Sequence, residues 1–279
     1  MSYTAEISRL NPTCFVFLID QSASMIDPWG GDETRTKADG LAVILNKTLQ
    51  NLVIECSKGD EVRGYFDVAV LGYGAKVGPA FLGALAGQEI APIDQVAANP
   101  ARVEERTRKV DDGLGGVIEH TVKFPIWFDP VADNGTPMCE ALRQAEALVR
   151  GWVGSHPTAF PPVVINLTDG EATDGDPLLP AESLRNVTTA DGNVLLLNVH
   201  LSSHKHQQPF SFPETADNLP DQYARQLFAM SSSLPPAMQA RAREFGYPVA
   251  ELSRGFFYQA DPVGVIEFLQ VGTRPSNLR

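Results

Sequence analysis

The chain has 279 residues, of which 43% are hydrophobic and 20% are charged, and this composition excludes disordered and fibrous proteins. A chain of this length buries enough surface to fold without a disulfide framework or a structural zinc ion. The net charge of −12 argues against nucleic-acid and anionic-membrane binders, which normally present a basic surface, and it suits a cation ligand or a basic partner.

The cysteines and the first residues of the sequence indicate a reducing compartment. Cys14, Cys56 and Cys139 stand far apart and form neither a CxxC pair nor an even-numbered framework. The opening segment is polar and contains Glu6, so it lacks the apolar core of a signal peptide. The apolar run 14–19 is far shorter than the roughly 20 residues of a membrane span. We therefore expect a soluble, cytoplasmic protein of bacterial type.

In the first half of the chain, strands and helices are predicted in alternation. The continuous apolar run 14–19 predicts a strand buried on both faces, and apolar spacings of three and four predict a helix over 37–56. A second strand is predicted at 65–73. The weaker pattern that follows is typical, in order, of a short strand within 79–92, a charged helical turn at 101–109 and a strand at 120–128.

The alternation continues to the end of the chain and favours one α/β domain. Strands that alternate with helices indicate a mostly parallel sheet covered on both faces, here a Rossmann-like three-layer α/β/α sandwich with one antiparallel edge strand from 76–130. The domain is predicted to span 1–279, with insertions near 76–135 and 202–220. The remaining predicted elements are helices at 136–149, 180–190, 221–229, 235–245 and 262–270, and strands at 163–168, 193–201 and 256–259.

Polar side chains follow two of the predicted buried strands. Asp20 and Asp169 are each the first charged residue beyond such a strand, so both carboxylates are expected at the same edge of the sheet, where ligands bind in folds of this class. Ser22 and Ser24 complete a DxSxS sequence after the first strand. Carboxylate and hydroxyl oxygens suit Mg²⁺ or Mn²⁺ better than zinc. A Ser-rich turn without a metal is the alternative interpretation.

A third polar segment, Asn134-Gly135-Thr136-Pro137, precedes a predicted helix. Thr136 fits the helix N-cap and Pro137 the first helical position. The alternative is that the Thr136 hydroxyl faces a metal ion.

Together the three segments resemble the metal ion-dependent adhesion site of the von Willebrand factor A domain in type, order and spacing. DxSxS after the first strand, GTPM before a helix and TDG after a later buried strand support this resemblance, which covers about residues 13–271. The resemblance implies a bound Mg²⁺, with Mn²⁺ or Ca²⁺ as substitutes. Its implied ligands are the hydroxyls of Ser22, Ser24 and Thr136, and the carboxylates of Asp20 and Asp169 acting directly or through water.

The resemblance also implies a function. The metal accepts an Asp or Glu carboxylate from a partner protein, so the chain is expected to be a Mg²⁺-dependent adaptor and not an enzyme, with no nucleic-acid or membrane partner. Stand-alone bacterial proteins similar to this one accompany protein kinases, metal-dependent phosphatases or AAA-type ATPases in stress or defence systems. A partner of one of these kinds is therefore expected.

Several residues near the three segments in sequence are candidates for contact with a partner. Trp29 is a candidate binding hot spot or a buried packing residue. His204 and His206 follow His200 in a polar loop, either lining the main site or forming a second metal site. Lys37 and Arg35 either attract an acidic partner or are ordinary solvated charges.

A metal-dependent phosphohydrolase that uses the same carboxylates is the alternative from a different functional class. It would need a nucleophile and an acid/base, and the intervening residues of the DxSxS segment, Gln21 and Ala23, supply neither. The sequence also lacks a GxSxG nucleophile elbow and a GxxxxGK[ST] phosphate loop.

Overall fold

The chain folds around an eight-stranded sheet, and the computed structural model describes residues 3–30, 32–111, 117–202 and 209–274. The principal strands are β1 (Thr13–Asp20), β2 (Phe66–Tyr73), β3 (Val77–Pro79), β4 (Ala91–Pro92), β5 (Arg102–Asp111), β6 (Val117–Ile126), β7 (Val163–Thr168), β8 (Leu195–Leu201), β9 (Phe210–Ser211) and β10 (Phe256–Ala260). The α-helices are α1 (Lys37–Cys56), α2 (Ile93–Ala98), α3 (Met138–Ser155), α4 (Leu178–Arg185), α5 (Gln222–Met230), α6 (Pro236–Glu244) and α7 (Pro262–Thr273).

The sheet is parallel at its centre and antiparallel at both edges. Its order is β9-β10-β8-β7-β1-β2-β3, and β4 also pairs with β2. The pairs of β1 with β2 and β7, of β7 with β8, and of β8 with β10 are parallel. The predicted mostly parallel sheet is therefore confirmed. The antiparallel edge strand expected within 76–130 is β3, and the other edge, β9, was not predicted.

Strand β1 shows how the sequence builds a three-layer fold. Every residue of this strand is buried, because helices cover the sheet on both sides. Phe15 and Phe17 pack into the layer that contains α1 and α7. Cys14 and Val16 pack into the opposite layer, which contains α3 and α4. Alternate side chains of the strand thus pack into two separate hydrophobic cores, one on each face of the sheet. The predicted α/β/α architecture is confirmed.

The segment predicted as a charged helical turn at 101–109 is a strand, so that prediction was wrong. It forms most of β5, which pairs antiparallel with β6 in a hairpin outside the main sheet. The charges gain partners across and along the hairpin, which a local helical pattern does not reveal. The Arg106 guanidinium, for example, lies 3.7 Å from the centre of the Phe124 ring.

The cysteines are unpaired. Cys14, Cys56 and Cys139 are all buried, and burial raises the pKa of the Cys14 thiol well above its usual range. No helix among the described residues combines the length and the apolar character that a membrane span requires.

Candidate metal centre at the carboxyl edge of the sheet

The two predicted carboxylates lie at the same edge because their strands are parallel neighbours. Ile19 of β1 is level with Leu167 of β7, so Asp20 and Asp169 leave the sheet side by side. Ser24 closes the gap between the segments, since its hydroxyl donates to Oδ1 of Asp169 over 2.8 Å. The hydroxyls of Ser22 and Ser24 are 3.1 Å apart. The structure therefore joins the DxSxS and TDG segments through a chain of hydrogen bonds.

Asp20 is held in place by two hydrogen bonds next to the bonded Ser22, Ser24 and Asp169 side chains. Its Oδ1 accepts the backbone N–H of Ser22 over 2.8 Å, and its Oδ2 accepts the hydroxyl of Thr168 over 2.6 Å. The side chain is almost completely buried. Burial raises the pKa of Asp20 to about 6, although the hydrogen bonds from Thr168 and Ser22 oppose the rise. A cation beside this carboxylate would stabilise its ionised form.

Thr136 reaches the same edge from the turn before α3. Its backbone N–H donates to Oγ1 of Thr173 over 2.9 Å, and its carbonyl accepts the N–H of Thr173 over 2.9 Å. A Cβ atom added to Gly170 would lie 3.9 Å from Oγ1 of Thr136, so the threonine hydroxyl lies next to the turn that follows Asp169. The loop after β7 thus fixes the position of Thr136.

The interpretation of Thr136 as the N-cap of α3 is wrong, because Asp174, which no local pattern marks, bonds to the start of this helix. The helix begins at Met138, and the carboxylate of Asp174 accepts the N–H groups of Cys139 and Glu140 over 3.0 and 2.9 Å. Asp174 comes from a loop 35 residues further along the chain, so no local capping pattern marks it. Because Asp174 satisfies the helix terminus, the hydroxyl of Thr136 is not needed there.

The assembled donors suit a hard divalent cation. Five oxygen-bearing side chains meet at this edge, two of them carboxylates and three of them hydroxyls: Asp20, Ser22, Ser24, Thr136 and Asp169. Within the ranges that the structure describes, no three His, Cys, Asp or Glu side chains form a metal-binding group, so a cation here would be held partly by hydroxyl oxygens. Such a donor set fits Mg²⁺ or Mn²⁺ and not zinc.

Lys37 belongs to the site and is not the surface charge that its sequence context predicts. Its side chain is 1% exposed, and its ammonium lies 2.5 Å from Oδ2 of Asp169. It also donates to the backbone carbonyl of Ser24 over 3.3 Å. Neither surface interpretation of Lys37 is therefore correct. Arg35, by contrast, is exposed.

Trp29, one of the three proposed partner-contact residues, is not part of the surface around these ligands. Trp29 is 2% exposed, and its indole N–H donates to the carbonyl of Ala260 over 3.1 Å, so the prediction of an exposed hot spot is wrong and the packing interpretation holds. A ring of this size ties the loop after β1 to β10. His204 and His206 lie outside the described residues.

His200 lies next to the site at the end of β8, level with Thr168. Its ring stacks on Tyr258 with ring centres 4.4 Å apart, and its Nδ1 is buried without a hydrogen-bond partner among the described residues. Burial lowers the pKa of His200 to about 4, while the nearby Asp169 opposes the shift. The imidazole is therefore neutral near pH 7.

No protein-family model matches the sequence, and no curated protein matches it. Among solved structures, the chain is similar to the open conformation of the pilus adhesin SpaC from Lactobacillus rhamnosus GG, at 13% identity and a TM-score of 0.47, over 95% of this chain and 30% of the adhesin. The ArnB paralog VWA2 from Sulfolobus acidocaldarius matches at 13% identity and a TM-score of 0.44, over 94% of this chain and 44% of VWA2.

A third similar structure is the manganese-loaded TRAP protein of Plasmodium vivax. It matches at 14% identity and a TM-score of 0.44, over 95% of this chain and 74% of that protein. The chain thus spans less than half the length of SpaC and of VWA2. The similarity is one of fold.

Proposed function

We propose that this edge of the sheet is a divalent-cation site through which the protein binds a carboxylate of another protein. The observation that supports this proposal most directly is the hydrogen-bonded chain from Ser22 through Ser24 to Asp169, which joins two distant segments with oxygen donors alone. When bound, the ion would supply an electrophilic centre for an incoming carboxylate. Asp20, Asp169, Ser22, Ser24 and Thr136 would hold it, directly or through water.

Access to the site supports a binding role. Asp20 and Ser22 are buried, whereas Ser24 is exposed, so the ligand set opens to solvent on the side of Ser24. An Asp or Glu side chain of a partner could reach the ion there and displace a water molecule, since Mg²⁺ usually keeps several waters in proteins. We propose Mg²⁺ as the usual ion, and as partner a protein kinase, a metal-dependent phosphatase or an AAA-type ATPase in a bacterial stress or defence system.

Calorimetric titration of Mg²⁺ and of Mn²⁺ into the protein tests the ion site. The wild type is expected to bind one ion, and Asp169→Asn and Ser24→Ala are expected to weaken binding. Asp60→Asn is the matched control, because Asp60 is exposed in the hairpin that follows the far end of α1. Equal binding by wild type and Asp169→Asn would contradict the assignment of the site.

Acetate serves as the simplest carboxylate for the second step. We expect acetate to change the electron paramagnetic resonance spectrum of the Mn²⁺-loaded protein, because a carboxylate enters the ion's ligand shell. Chloride at the same ionic strength is the control. A spectrum that acetate and chloride affect equally would indicate that the ion accepts no external carboxylate.

The competing phosphohydrolase hypothesis has its own test. The rate at which the protein hydrolyses generic phosphoester substrates in Mg²⁺ or Mn²⁺ is expected to stay at background. Turnover that requires the metal and disappears in both Asp20→Ala and Asp169→Ala would favour the enzyme over the adaptor.

A further inference from the structure

A buried lysine points into the proposed cation site. Lys37 is the first residue of α1, whose N-terminus is capped by Thr36 through the N–H of Asp39. The backbone N–H of Lys37 donates to the carbonyl of Asp27 over 3.0 Å, which fixes the helix start against the loop after β1. From this anchored position the side chain runs inward and not into solvent.

The surroundings of the Lys37 ammonium are those of a cation site. It lies 2.5 Å from Oδ2 of Asp169, 3.3 Å from the carbonyl oxygen of Ser24 and 3.7 Å from Oδ2 of Asp27. The Asp169 side chain is completely buried. Burying a charged ammonium is strongly unfavourable unless it is paired and hydrogen-bonded, and here Asp169 and Ser24 meet that need.

The same carboxylate is shared between the lysine and the ligand set. Oδ2 of Asp169 faces Lys37, while Oδ1 accepts the hydroxyl of Ser24. When Asp20 and Asp169 are both ionised, these two ligand carboxylates carry a formal charge of about −2, and the Lys37 ammonium reduces the sum to about −1. A divalent ion entering the site therefore meets less negative charge, and it meets a positive charge that is already in contact with one of its ligands.

We propose that Lys37 sets the cation affinity of this site: its ammonium is the counter-ion of Asp169 in the metal-free protein, and it lowers the affinity for a divalent ion. This inference rests on the proposed function, because it assumes that Asp169 is a ligand. Lys37 is a positioning residue in this scheme, since it acts on the ion through Asp169. The sequence motifs themselves contain no lysine, so they do not indicate this effect.

The test is calorimetric titration of Mg²⁺ into the wild type and into two neutral variants, Lys37→Met and Lys37→Gln. Both variants are expected to bind Mg²⁺ at least about tenfold more tightly than the wild type, because a positive charge near the ion is removed. Lys37→Arg keeps the charge and is expected not to gain affinity. Lys47→Met is the matched control, since Lys47 lies on the same helix with its side chain exposed.

The outcomes separate this inference from the proposed function. If the wild type binds Mg²⁺ and the neutral variants bind it equally or more weakly, the role of Lys37 is refuted and the cation site stands. If neither the wild type nor any variant binds Mg²⁺ or Mn²⁺, the proposed function fails and this inference fails with it. Binding by the neutral variants alone would support the inference in its strongest form.

Thermal unfolding covers the case in which the neutral variants are unstable. Without its counter-ion, Asp169 is left buried and unpaired, so Mg²⁺ is expected to raise the melting temperature of Lys37→Met and Lys37→Gln more than that of the wild type. A variant that folds only with Mg²⁺ would support the inference, because the ion replaces the ammonium. Failure of both neutral variants to fold at saturating Mg²⁺ would overturn it.

Discussion

Two ion pairs in this protein differ in their exposure to solvent. Lys37 and Asp169 form a pair whose side chains are 1% and 0% exposed. Arg102 at the start of β5 pairs with Asp129 in a cluster whose side chains are 46% and 43% exposed. Water compensates the charges of the exposed pair when it separates, so such pairs contribute little to stability. Little water reaches the buried pair, so each charge depends chiefly on the other, and a change to one alters the state of the other.

The largest expected effect is the loss of one partner of the buried pair. Asp169→Ala should lower the free energy of unfolding by about 3–5 kcal/mol, because the buried Lys37 loses its close counter-ion and keeps only the more distant contact with the exposed Asp27. Urea unfolding measures the change, with Asp60→Ala as the control. The double variant Lys37→Met/Asp169→Leu should be more stable than Asp169→Ala, since it contains no unpaired buried charge. A double variant less stable than Asp169→Ala would contradict this account of the pair.

The buried ion pair also shows which parts of the site the sequence predicts and which it does not. Buried parallel strands reveal themselves as continuous apolar runs, so the positions of Asp20 and Asp169 at one sheet edge followed from local patterns. Lys37 interacts with Asp169 across 132 residues of sequence, and its position at the start of an amphipathic helix is compatible with an exposed charge. Its burial depends on the tertiary fold, and no periodicity indicates it.

Other differences have the same physical origin. Asp174 caps α3 from a distant loop, so local capping rules point to the nearby Thr136 and cannot identify Asp174. Strand β5 pairs with β6 through its backbone, and Arg106 lies over the Phe124 ring of β6. Local periodicity in a short charged segment does not distinguish such a strand from a helical turn. Trp29 packs against β10 because this strand, which lies more than 200 residues further along the sequence, ends beside the loop after β1.

The second largest effect concerns His200, which is buried close to the Lys37–Asp169 pair. The unfolded chain takes up a proton on this residue below about pH 6.5, whereas the folded protein does so only near pH 4. Above about pH 6.5 the imidazole is neutral in both states, and its titration does not reduce the free energy of unfolding. As the pH falls from 6.5 toward 4, the unfolded chain binds the proton first, so the free energy of unfolding decreases. The difference in unfolding free energy between wild type and His200→Phe should change by roughly 2–3 kcal/mol over this range.

Urea unfolding at several pH values measures the contribution of His200. Phenylalanine preserves a ring that stacks on Tyr258, so the comparison isolates the titration from the packing. The rise in the pKa of Asp20 acts in the opposite direction with pH, and it cancels in the comparison because both proteins contain Asp20. Parallel pH profiles for the two proteins would show that His200 does not titrate as stated.

A smaller effect is expected for Asp174, whose carboxylate connects the loop after β7 to α3. Asp174→Ala should lower the free energy of unfolding by about 1–2 kcal/mol, because two N–H groups at the helix start lose their acceptor. It should also weaken Mg²⁺ binding, since the same loop fixes Thr136. Asp176→Ala is a control in the same loop, where the aspartate accepts the N–H of Leu178 at the start of α4 instead. Unchanged Mg²⁺ affinity in Asp174→Ala would separate helix capping from the cation site.

The smallest effect is expected at the exposed pair. Arg102 makes two hydrogen bonds to Asp129, of 2.7 and 3.0 Å, so its geometry is good for a surface ion pair. A double-mutant cycle of Arg102→Ala and Asp129→Ala should nevertheless give a coupling energy below about 1 kcal/mol, and the coupling should fall as salt is added, because both charges stay hydrated. The matching cycle of Lys37→Met and Asp169→Leu should give a larger coupling that salt changes little. Similar coupling energies and similar salt dependence in the two cycles would mean that burial does not distinguish the pairs. The Lys37 ammonium would then compete with a cation for Asp169 no more strongly than an ordinary surface charge does.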